Sequence, residues 1–302
     1  MRNKTMQESI MLFFQNIGSP FLDSVANLAS AVGEQTFVIA VMLYILWNVD
    51  KNKGFSICSS LLFSVTAMGT LKAIVRAPRP FQVLESIDGK RLATATGYSF
   101  PSGHTTTAAS FYSSLAMAFK KRRLSIFCAI MIVLVGLSRL YLGVHWPIDV
   151  FGGLVLGISI SLLAYRKFSI LYEDENKRYR FSIVVGIVTL IVGAIMATLL
   201  NLKQVDQVAF TDLMKALSLA GGGYLGFALE VKKVQYRIEG TLAKKILRFF
   251  LGLVGVLLIM GLKALIPEAA YYIGSFFRYA LLGFWATGLY PLIGKNRLFD
   301  VQ

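Results

Sequence analysis

Residues 138–149 read SRLYLGVHWPID and place an arginine, a histidine and an aspartate in a chain that is otherwise strongly apolar. His145 is one of only two histidines among 302 residues, and Asp149 follows it by four positions. At this spacing, two side chains lie one turn apart on a helix face. The carboxylate of Asp149 can then hold one ring nitrogen of His145 and leave the other as a nucleophile. The stretch is therefore predicted to carry reactive chemistry at a helix end.

The composition around this stretch is that of a membrane protein. Hydrophobic residues make up 56% of the chain, charged residues make up 16%, and the mean hydropathy is +0.63. A soluble domain is about 25% charged. Apolar runs of about 20 residues recur, and each can cross a hydrocarbon core of about 30 Å. Because a lipid-exposed backbone must satisfy its own hydrogen bonds, we predict an all-α polytopic membrane protein, a helical bundle.

The net charge of +15 raises the possibility of a nucleic-acid partner, but its distribution favours a membrane instead. Basic residues collect in short loops between apolar runs, at 120–123, around 165–180 and across 232–245. Such clusters are typical of loops on the cytoplasmic side. We therefore expect the lipid bilayer, and no nucleic acid, as a partner.

About nine segments are apolar enough to be predicted as transmembrane helices. They cover residues 33–49, 54–75, 103–119, 124–143, 145–164, 181–201, 211–231, 245–266 and 271–293. An odd number puts the termini on opposite sides. The basic loops then make the C-terminus cytoplasmic and turn the N-terminus and the 76–102 loop outward. We expect a multi-pass protein of the cytoplasmic (inner) membrane.

Three segments follow from this pattern. Residues 1–32 are too interrupted for a signal peptide and predict amphipathic interfacial helices. Residues 33–168 hold the first five predicted spans, and residues 169–302 hold a four-helix transmembrane extension. The polar residues 165–180 are predicted to form the loop between the two parts.

The outward loop 76–102 is an exception to the charge rule. It holds Arg76, Arg79, Lys90 and Arg91 on the side where basic residues are disfavoured. Some other interaction must therefore favour these four side chains.

Three polar clusters lie at the outer ends of predicted spans two to five. The first holds Lys72, Arg79 and Pro80, the second is residues 101–104, PSGH, and the third is the stretch 138–149. The predicted topology brings all three to one membrane face, and both histidines lie within them.

These residue types suit a phosphate ligand. Lys72, Arg79 and Arg139 supply charged donors. Ser102 and the Gly103 amide open a helix, where free N–H groups and the helix dipole favour an anion. His104 can serve as the general acid for a leaving oxygen.

A metal site is the main alternative for two histidines and an aspartate. Three nearby cations would repel a metal ion, and no cysteine or glutamate cluster accompanies the histidines. We therefore expect no metal and no other cofactor.

The segments KAIVRAPRP at 72–80, PSGH at 101–104 and SRLYLGVHWPID at 138–149 resemble the three motifs of the type 2 phosphatidic acid phosphatase superfamily. This superfamily includes lipid phosphate phosphatases, undecaprenyl-pyrophosphate phosphatases, glucose-6-phosphatases and vanadium haloperoxidases. The resemblance covers roughly residues 60–160, and all three motifs occur in order. It implies a phosphatase core of that type within the helical bundle, to which the four C-terminal spans are an addition.

The resemblance also implies residue roles. Phosphate is bound by Lys72, Arg79, Ser102, Gly103 and Arg139. His145 becomes a phosphohistidine, Asp149 supports it, His104 protonates the leaving group, and no metal takes part.

The implied function is that of an integral membrane phosphatase acting on a phosphomonoester or pyrophosphate of a lipid at the outer face. Three alternatives stay open. The phosphohistidine can transfer its group to a lipid hydroxyl, the substrate can be a sugar phosphate as in glucose-6-phosphatases of similar nine-span topology, or the protein can bind and flip lipids. The sequence predicts no oligomeric state.

Three basic residues near the outward ends of the last spans give a further hypothesis. Lys215, Lys263 and Arg278 can form a second anion or headgroup site, since ionisable groups at such depth are functional candidates. The alternative is that their side chains extend to the interface. The glycine-rich run 221–226, GGGYLG, predicts close helix packing rather than catalysis.

Overall fold

The computed structural model describes residues 5–301, so residues 1–4 of the predicted interfacial segment and residue 302 lie outside the described part. Helices dominate the described chain, and the predicted all-α class is confirmed. The helices are α1 (Met6–Asn16), α2 (Pro20–Val32), α3 (Gln35–Asn48), α4 (Lys51–Val75), α5 (Pro80–Val83), α6 (Gly103–Phe119), α7 (Arg122–Tyr141), α8 (Pro147–Glu173), α9 (Glu175–Asn201), α10 (Gln207–Leu229), α11 (Leu242–Gly261), α12 (Tyr271–Phe284) and α13 (Tyr290–Ile293).

Short elements complete the secondary structure. The strands β1 (Tyr236–Arg237) and β2 (Asp300–Val301) pair antiparallel. Single turns of 3₁₀ or π helix occupy Leu92–Thr94, Glu230–Val234, Leu262–Leu265, Glu268–Ala270 and Trp285–Leu289.

Five helical segments in the described chain are long and apolar enough to cross a bilayer. They are Lys51–Val83, Arg122–Tyr141, Pro147–Glu173, Glu175–Asn201 and Leu242–Leu265. The pair α2 and α3, bent by 45° at its break, brings the number to six if the two helices form one span. The predicted count of nine therefore stays a prediction.

The loop predicted over residues 165–180 is wrong. Helix α8 continues to Glu173 and α9 begins at Glu175, so that only Asp174 separates them. Asp174 is the N-cap of α9, and its Oδ1 accepts a hydrogen bond of 2.9 Å from the Lys177 amide. Lysine, arginine and glutamate are good helix formers, so the helices extend through the polar residues.

Two compact units divide the chain. One contains the described residues up to Ile39 together with Ser59–Tyr165, and the other contains Ala40–Cys58 together with the described residues from Arg166 onward. Every residue of the three polar clusters belongs to the first unit.

Helices α6 and α8 pack closely in the first unit because small residues line their contact. A Cβ added at Gly153 would lie 2.9 Å from the Ser102 carbonyl oxygen, and one at Gly157 would lie 2.6 Å from the Thr106 carbonyl oxygen. The same faces are joined by Ser161, whose Oγ donates to the Ser110 carbonyl oxygen at 2.9 Å. This packing fixes the start of α6 against the start of α8.

The unexpected bases of the outward loop pair with acids of the N-terminal helices. Lys90 Nζ lies 2.5 Å from Asp23 Oδ1, and Arg91 Nη2 lies 2.5 Å from Glu34 Oε1. These ion pairs are the interaction that favours Lys90 and Arg91 in this loop.

In the second unit the glycine-rich run lies in α10 against α12, as predicted. A side chain at Gly222 would overlap the Ala280 carbonyl group, and one at Gly226 would overlap the Thr287 hydroxyl. The fully buried Arg248 donates to the carbonyl oxygens of Trp47 and Leu298, both at 2.7 Å.

Candidate active site

The nucleophile candidate lies in a turn between two helices. Helix α7 ends at Tyr141 and α8 begins at Pro147, so His145 precedes the helix that carries Asp149. The predicted shared helix face is therefore wrong, because proline starts the helix two residues after the histidine. The contact nevertheless forms, with His145 Nδ1 3.4 Å from Asp149 Oδ2.

This turn requires a glycine at position 143. Gly143 has φ +69°, and a Cβ there would overlap the carbonyl oxygen of Asp88. Only glycine adopts this conformation at no steric cost. The chain can therefore pass close to the 76–102 loop and place His145 in the site.

Asp149 is buried and held by two donors. Its Oδ2 accepts hydrogen bonds from the Trp146 amide at 2.7 Å and from the Ser99 hydroxyl. Ser99 Oγ also lies 3.3 Å from His145 Nδ1. Sequence reasoning missed Ser99, although it stands only three residues before Ser102 of the second cluster.

The other ring nitrogen of His145 faces a cation. Nε2 lies 3.2 Å from Arg79 Nη1. Because a guanidinium group can only donate, Nε2 accepts and the ring proton resides on Nδ1, towards Asp149. The lone pair of Nε2 is thus on the side of the predicted phosphate-binding residues.

His145 should titrate below the ordinary imidazole pKa of about 6.5. Burial is the largest cause of the lowered pKa, and the positive charges of Arg79 and Lys72 act in the same direction. The ring therefore remains neutral, and nucleophilic, at pH 7. We expect the ring signals of 13C-histidine-labelled protein to place its midpoint below pH 6.5, with the His104→Asn variant leaving a single ring to follow. A midpoint at or above that pH would contradict this prediction.

Lys72 and Arg79 converge on the backbone of residues 96–99. Lys72 Nζ donates to the carbonyl oxygen of Tyr98. Arg79 donates to the carbonyl oxygens of Thr96, at 2.6 Å, and Gly97, at 3.1 Å. Both basic side chains are almost fully buried, so they bring two positive charges beside His145.

Arg139 differs from these two cations in its hydrogen bonding. It is fully buried, and Nη1 donates to the Ser30 hydroxyl. Within the described chain, its Nε and Nη2 atoms are buried and have no hydrogen-bond partner. Unpaired buried N–H groups are costly, and an anionic ligand would satisfy them.

The N-terminus of α6 joins the second cluster to the third. The Ser102 amide donates to the Asp149 carbonyl oxygen at 2.9 Å. The Ser102 hydroxyl makes no cap bond to its own helix and accepts from Thr105 Oγ1 at 2.9 Å. The amides of the first turn have no intrahelical partner by geometry, so they can bind an anion.

Replacing Gly103 by Ala should raise KM about tenfold, which corresponds to about 1.4 kcal/mol of binding free energy. The stability of the protein should not fall. The nearest heavy atom to a Cβ at this position is Met68 Cε, at 3.9 Å, so the protein itself has room for the methyl group. A phosphoryl group approaching the first-turn amides would meet that methyl group. Steady-state kinetics and thermal unfolding in detergent measure the two effects, and a destabilised variant with unchanged KM would contradict the prediction.

His104 lies in the first turn of α6. Its Nε2 is 3.9 Å from Glu34 Oε1, and its side chain is 13% exposed. The structure brings both Asp149 and Arg79 into contact with His145 and joins Ser102 to Asp149 through the Asp149 backbone. Among residues 5–301, no three His, Cys, Asp or Glu side chains gather as a metal-binding group.

The three C-terminal cations belong to the second unit. Lys215 Nζ lies 3.5 Å from Asp212 Oδ1, and Lys263 is exposed. Arg278 is buried, and its Nη1 donates to the Met260 carbonyl oxygen at 3.3 Å. A second anion site formed by these residues stays a prediction.

Comparison with known proteins identifies the family. Residues 53–173 match the family model of the PAP2 superfamily, and residues 214–297 match the model of the transmembrane extension of PAP2 superfamily phosphatases. Phosphatidylglycerophosphatase B of Bacillus subtilis is 35% identical over 177 residues, which cover 54% of this chain and 81% of that protein. The chain belongs to the PAP2 superfamily. It is a multi-pass membrane protein of the PAP2 phosphatase type. The family and the assignment to hydrolases were predicted correctly from three motifs, and the membrane class was predicted correctly from the apolar composition.

Other PAP2 relatives match over shorter parts. Lipid A 1-phosphatase of Rhizobium johnstonii is 32% identical over 161 residues, or 51% of this chain and 58% of that protein. Undecaprenyl-diphosphatase BcrC of Bacillus subtilis is 40% identical over 89 residues, or 30% of this chain and 44% of that protein. The matches thus span about half the length of these two relatives.

Proposed function

We propose that the chain hydrolyses a phosphomonoester or a pyrophosphate of a membrane lipid through a phosphohistidine on Nε2 of His145. The observation that carries this proposal is the orientation of the buried imidazole. Asp149 lies at Nδ1 and Arg79 at Nε2, so a neutral ring directs its lone pair toward the cationic residues of the three clusters.

The first step forms the P–N bond. Nε2 of His145 attacks phosphorus, the bond from phosphorus to the leaving oxygen breaks, and that oxygen takes a proton from His104. In the second step His104, now neutral, accepts a proton from water while the water oxygen attacks phosphorus and the P–N bond breaks. Inorganic phosphate is released, and both histidines return to their starting states.

The transferred group needs donors for its charged oxygens. The unpaired Nε and Nη2 of Arg139 and the first-turn amides beginning at Gly103 supply them. Lys72 and Arg79 contribute positive charge from buried positions. Phosphoryl transfer depends mainly on such positioning and electrostatic stabilisation.

The substrates in the names of the relatives support a lipid substrate. Lipid A, phosphatidylglycerophosphate and undecaprenyl diphosphate are all phosphorylated lipids, so the substrate class proposed here is an isoprenyl pyrophosphate or a phospholipid. Phosphate release from a panel of these three compounds, phosphatidic acid and glucose 6-phosphate tests this proposal. Release from glucose 6-phosphate alone would overturn the lipid class, and transfer to an added acceptor lipid would identify a phosphotransferase.

We further propose that the site faces the outside of the cytoplasmic membrane and that the C-terminus is cytoplasmic. The basic clusters 120–123 and 232–245 support this orientation. In a variant without the two native cysteines, a membrane-impermeant thiol reagent should label an introduced cysteine at Leu92 in intact cells and should not label one at Arg123. The reverse pattern would overturn the orientation.

A further inference from the structure

Glu34 is an acidic residue that the reaction described above does not use. It stands at the break between α2 and α3, where the two helices bend by 45°. Its Oε1 pairs with Arg91 Nη2 and also lies 3.9 Å from His104 Nε2. The carboxylate thus lies between a loop arginine and the candidate general acid.

The backbone around Glu34 fixes its position. Its amide donates to the Ala31 carbonyl oxygen at 3.1 Å. Gly33 lies so close to Val135 that an added Cβ would be 2.6 Å from the Val135 Cγ1 atom. One turn earlier, Ser30 binds the Arg139 guanidinium. The end of α2 therefore contacts both a phosphate-binding residue and, through Glu34, the general acid.

Arg91 holds the carboxylate from the opposite side. Its Nη1 donates to the Asn27 carbonyl oxygen at 2.7 Å, while Nη2 binds Glu34. Arg91 is in the left-handed conformation, with φ 57°, which directs the chain of the outward loop toward α2. Two anchors on one guanidinium restrict the rotation of the Glu34 side chain.

We propose that Glu34 is a positioning residue for His104. Burial lowers the pKa of His104 and the positive charges of Arg139 and Arg91 act in the same direction, whereas the Glu34 carboxylate opposes them by favouring the imidazolium form. His104 Nε2 is buried and makes no hydrogen bond within the described chain, so the charge of the Glu34 carboxylate at 3.9 Å is free to attract this side of the imidazolium ring and to leave the other nitrogen to donate its proton to the leaving oxygen. Each catalytic histidine then has its own carboxylate. This inference rests on the proposed function and adds a residue to it.

The decisive measurement is the dependence on the leaving group. Diacylglycerol leaves phosphatidic acid as an alcohol oxygen that must be protonated, whereas 4-nitrophenolate departs from 4-nitrophenyl phosphate without a proton. Glu34→Gln should lower kcat/KM for phosphatidic acid about 10- to 100-fold, part of the effect of a general acid, and change that for 4-nitrophenyl phosphate less than about threefold. Retained turnover of the aryl ester also shows that the variant is folded.

Asp23→Asn is the matched control. Asp23 is the acid of the neighbouring ion pair between the N-terminal helices and the outward loop, and its partners are Lys90 and Tyr141 rather than a histidine. This variant loses an anchor of the loop but no charge at His104. Both substrates should be turned over within about threefold of the wild-type rate, as expected for a partly solvent-exposed ion pair.

Equal losses on both substrates for Glu34→Gln, or a selective loss for Asp23→Asn, would overturn the inference and leave the proposed function standing. Failure of the wild-type protein to release phosphate from any lipid of the substrate panel would overturn both. If Glu34→Gln does not fold, Glu34→Asp is the variant to test. It keeps the negative charge but, because its side chain is shorter by one methylene group, places that charge farther from His104. We then expect a smaller loss with the same selectivity for phosphatidic acid, and an equal loss on both substrates would again overturn the inference.

Discussion

Replacing His145 by Ala should lower kcat by about 10⁴-fold or more, because the proposed mechanism passes the phosphoryl group through Nε2 of this residue. The imidazole is 2% exposed and contacts both Arg79 and Asp149. Removing it leaves Arg139, the α6 N-terminus and the substrate-binding surface in place. The residual rate should therefore exceed that of the uncatalysed reaction, while KM changes little.

Two readouts make the loss of His145 specific. Wild-type protein quenched in alkali during turnover of 32P-labelled substrate should carry label on histidine, and His145→Ala should carry none. Added imidazole should restore part of the turnover by occupying the space that the side chain has left. Label on the His145→Ala protein, or its full activity, would contradict the mechanism.

A control for this variant is the neighbouring Trp146. Its indole Nε1 donates to the Pro78 carbonyl oxygen at 3.0 Å. Trp146→Phe removes that loop contact and keeps the backbone amide that Asp149 accepts. We expect its kcat to stay within about threefold of wild type, as for a single exposed hydrogen bond near 1 kcal/mol or less.

The fold class could be predicted, and the candidate reactive residues could be proposed, because their signals are local in sequence. Apolar runs indicate helices, and proline and glycine at 101–103 mark the start of α6. The pairing of His145 with Asp149 was predicted for the wrong reason, since the histidine lies in the turn before the helix. A four-residue spacing brought them together only because the turn ends at Pro147.

The supporting residues could not be predicted because their partners are distant in sequence. Ser30 reaches Arg139 across 109 positions, and Glu34 reaches Arg91 across 57. Neither residue belongs to a motif, and periodicity reports only which face of a helix is apolar. The one available signal was the excess of bases in the outward loop, which required acidic partners but did not identify them.

Replacing Arg139 by Met should lower kcat/KM about 10²- to 10³-fold and, at the same time, stabilise the ligand-free protein. The guanidinium is fully buried, and its Nε and Nη2 have no partner within the described chain. Each unsatisfied buried donor costs about 1–3 kcal/mol, which the apolar side chain of similar length avoids. We therefore expect that the arginine is costly to the ligand-free fold and that a bound anion offsets this cost.

The matched variant is Arg248→Met in the second unit. Arg248 is equally buried, but its guanidinium donates to the carbonyl oxygens of Trp47, Glu239 and Leu298. Its loss leaves those acceptors unsatisfied, so Tm in detergent should fall, whereas Arg139→Met should raise Tm. The opposite signs of the two Tm changes distinguish Arg248, which stabilises the fold, from Arg139, whose N–H groups we expect to bind an anion.

Orthovanadate distinguishes the two arginine variants further, because it mimics the transferred phosphoryl group and binds only to an intact site. It should raise the Tm of wild type and of any folded Arg248→Met protein, since ligand binding stabilises the native state by mass action. It should raise the Tm of Arg139→Met less than that of wild type, because two of the N–H groups that would bind its oxygens are gone. A vanadate shift of wild-type size in Arg139→Met, with activity retained, would contradict the role of this arginine and transfer phosphate binding to Lys72 and Arg79.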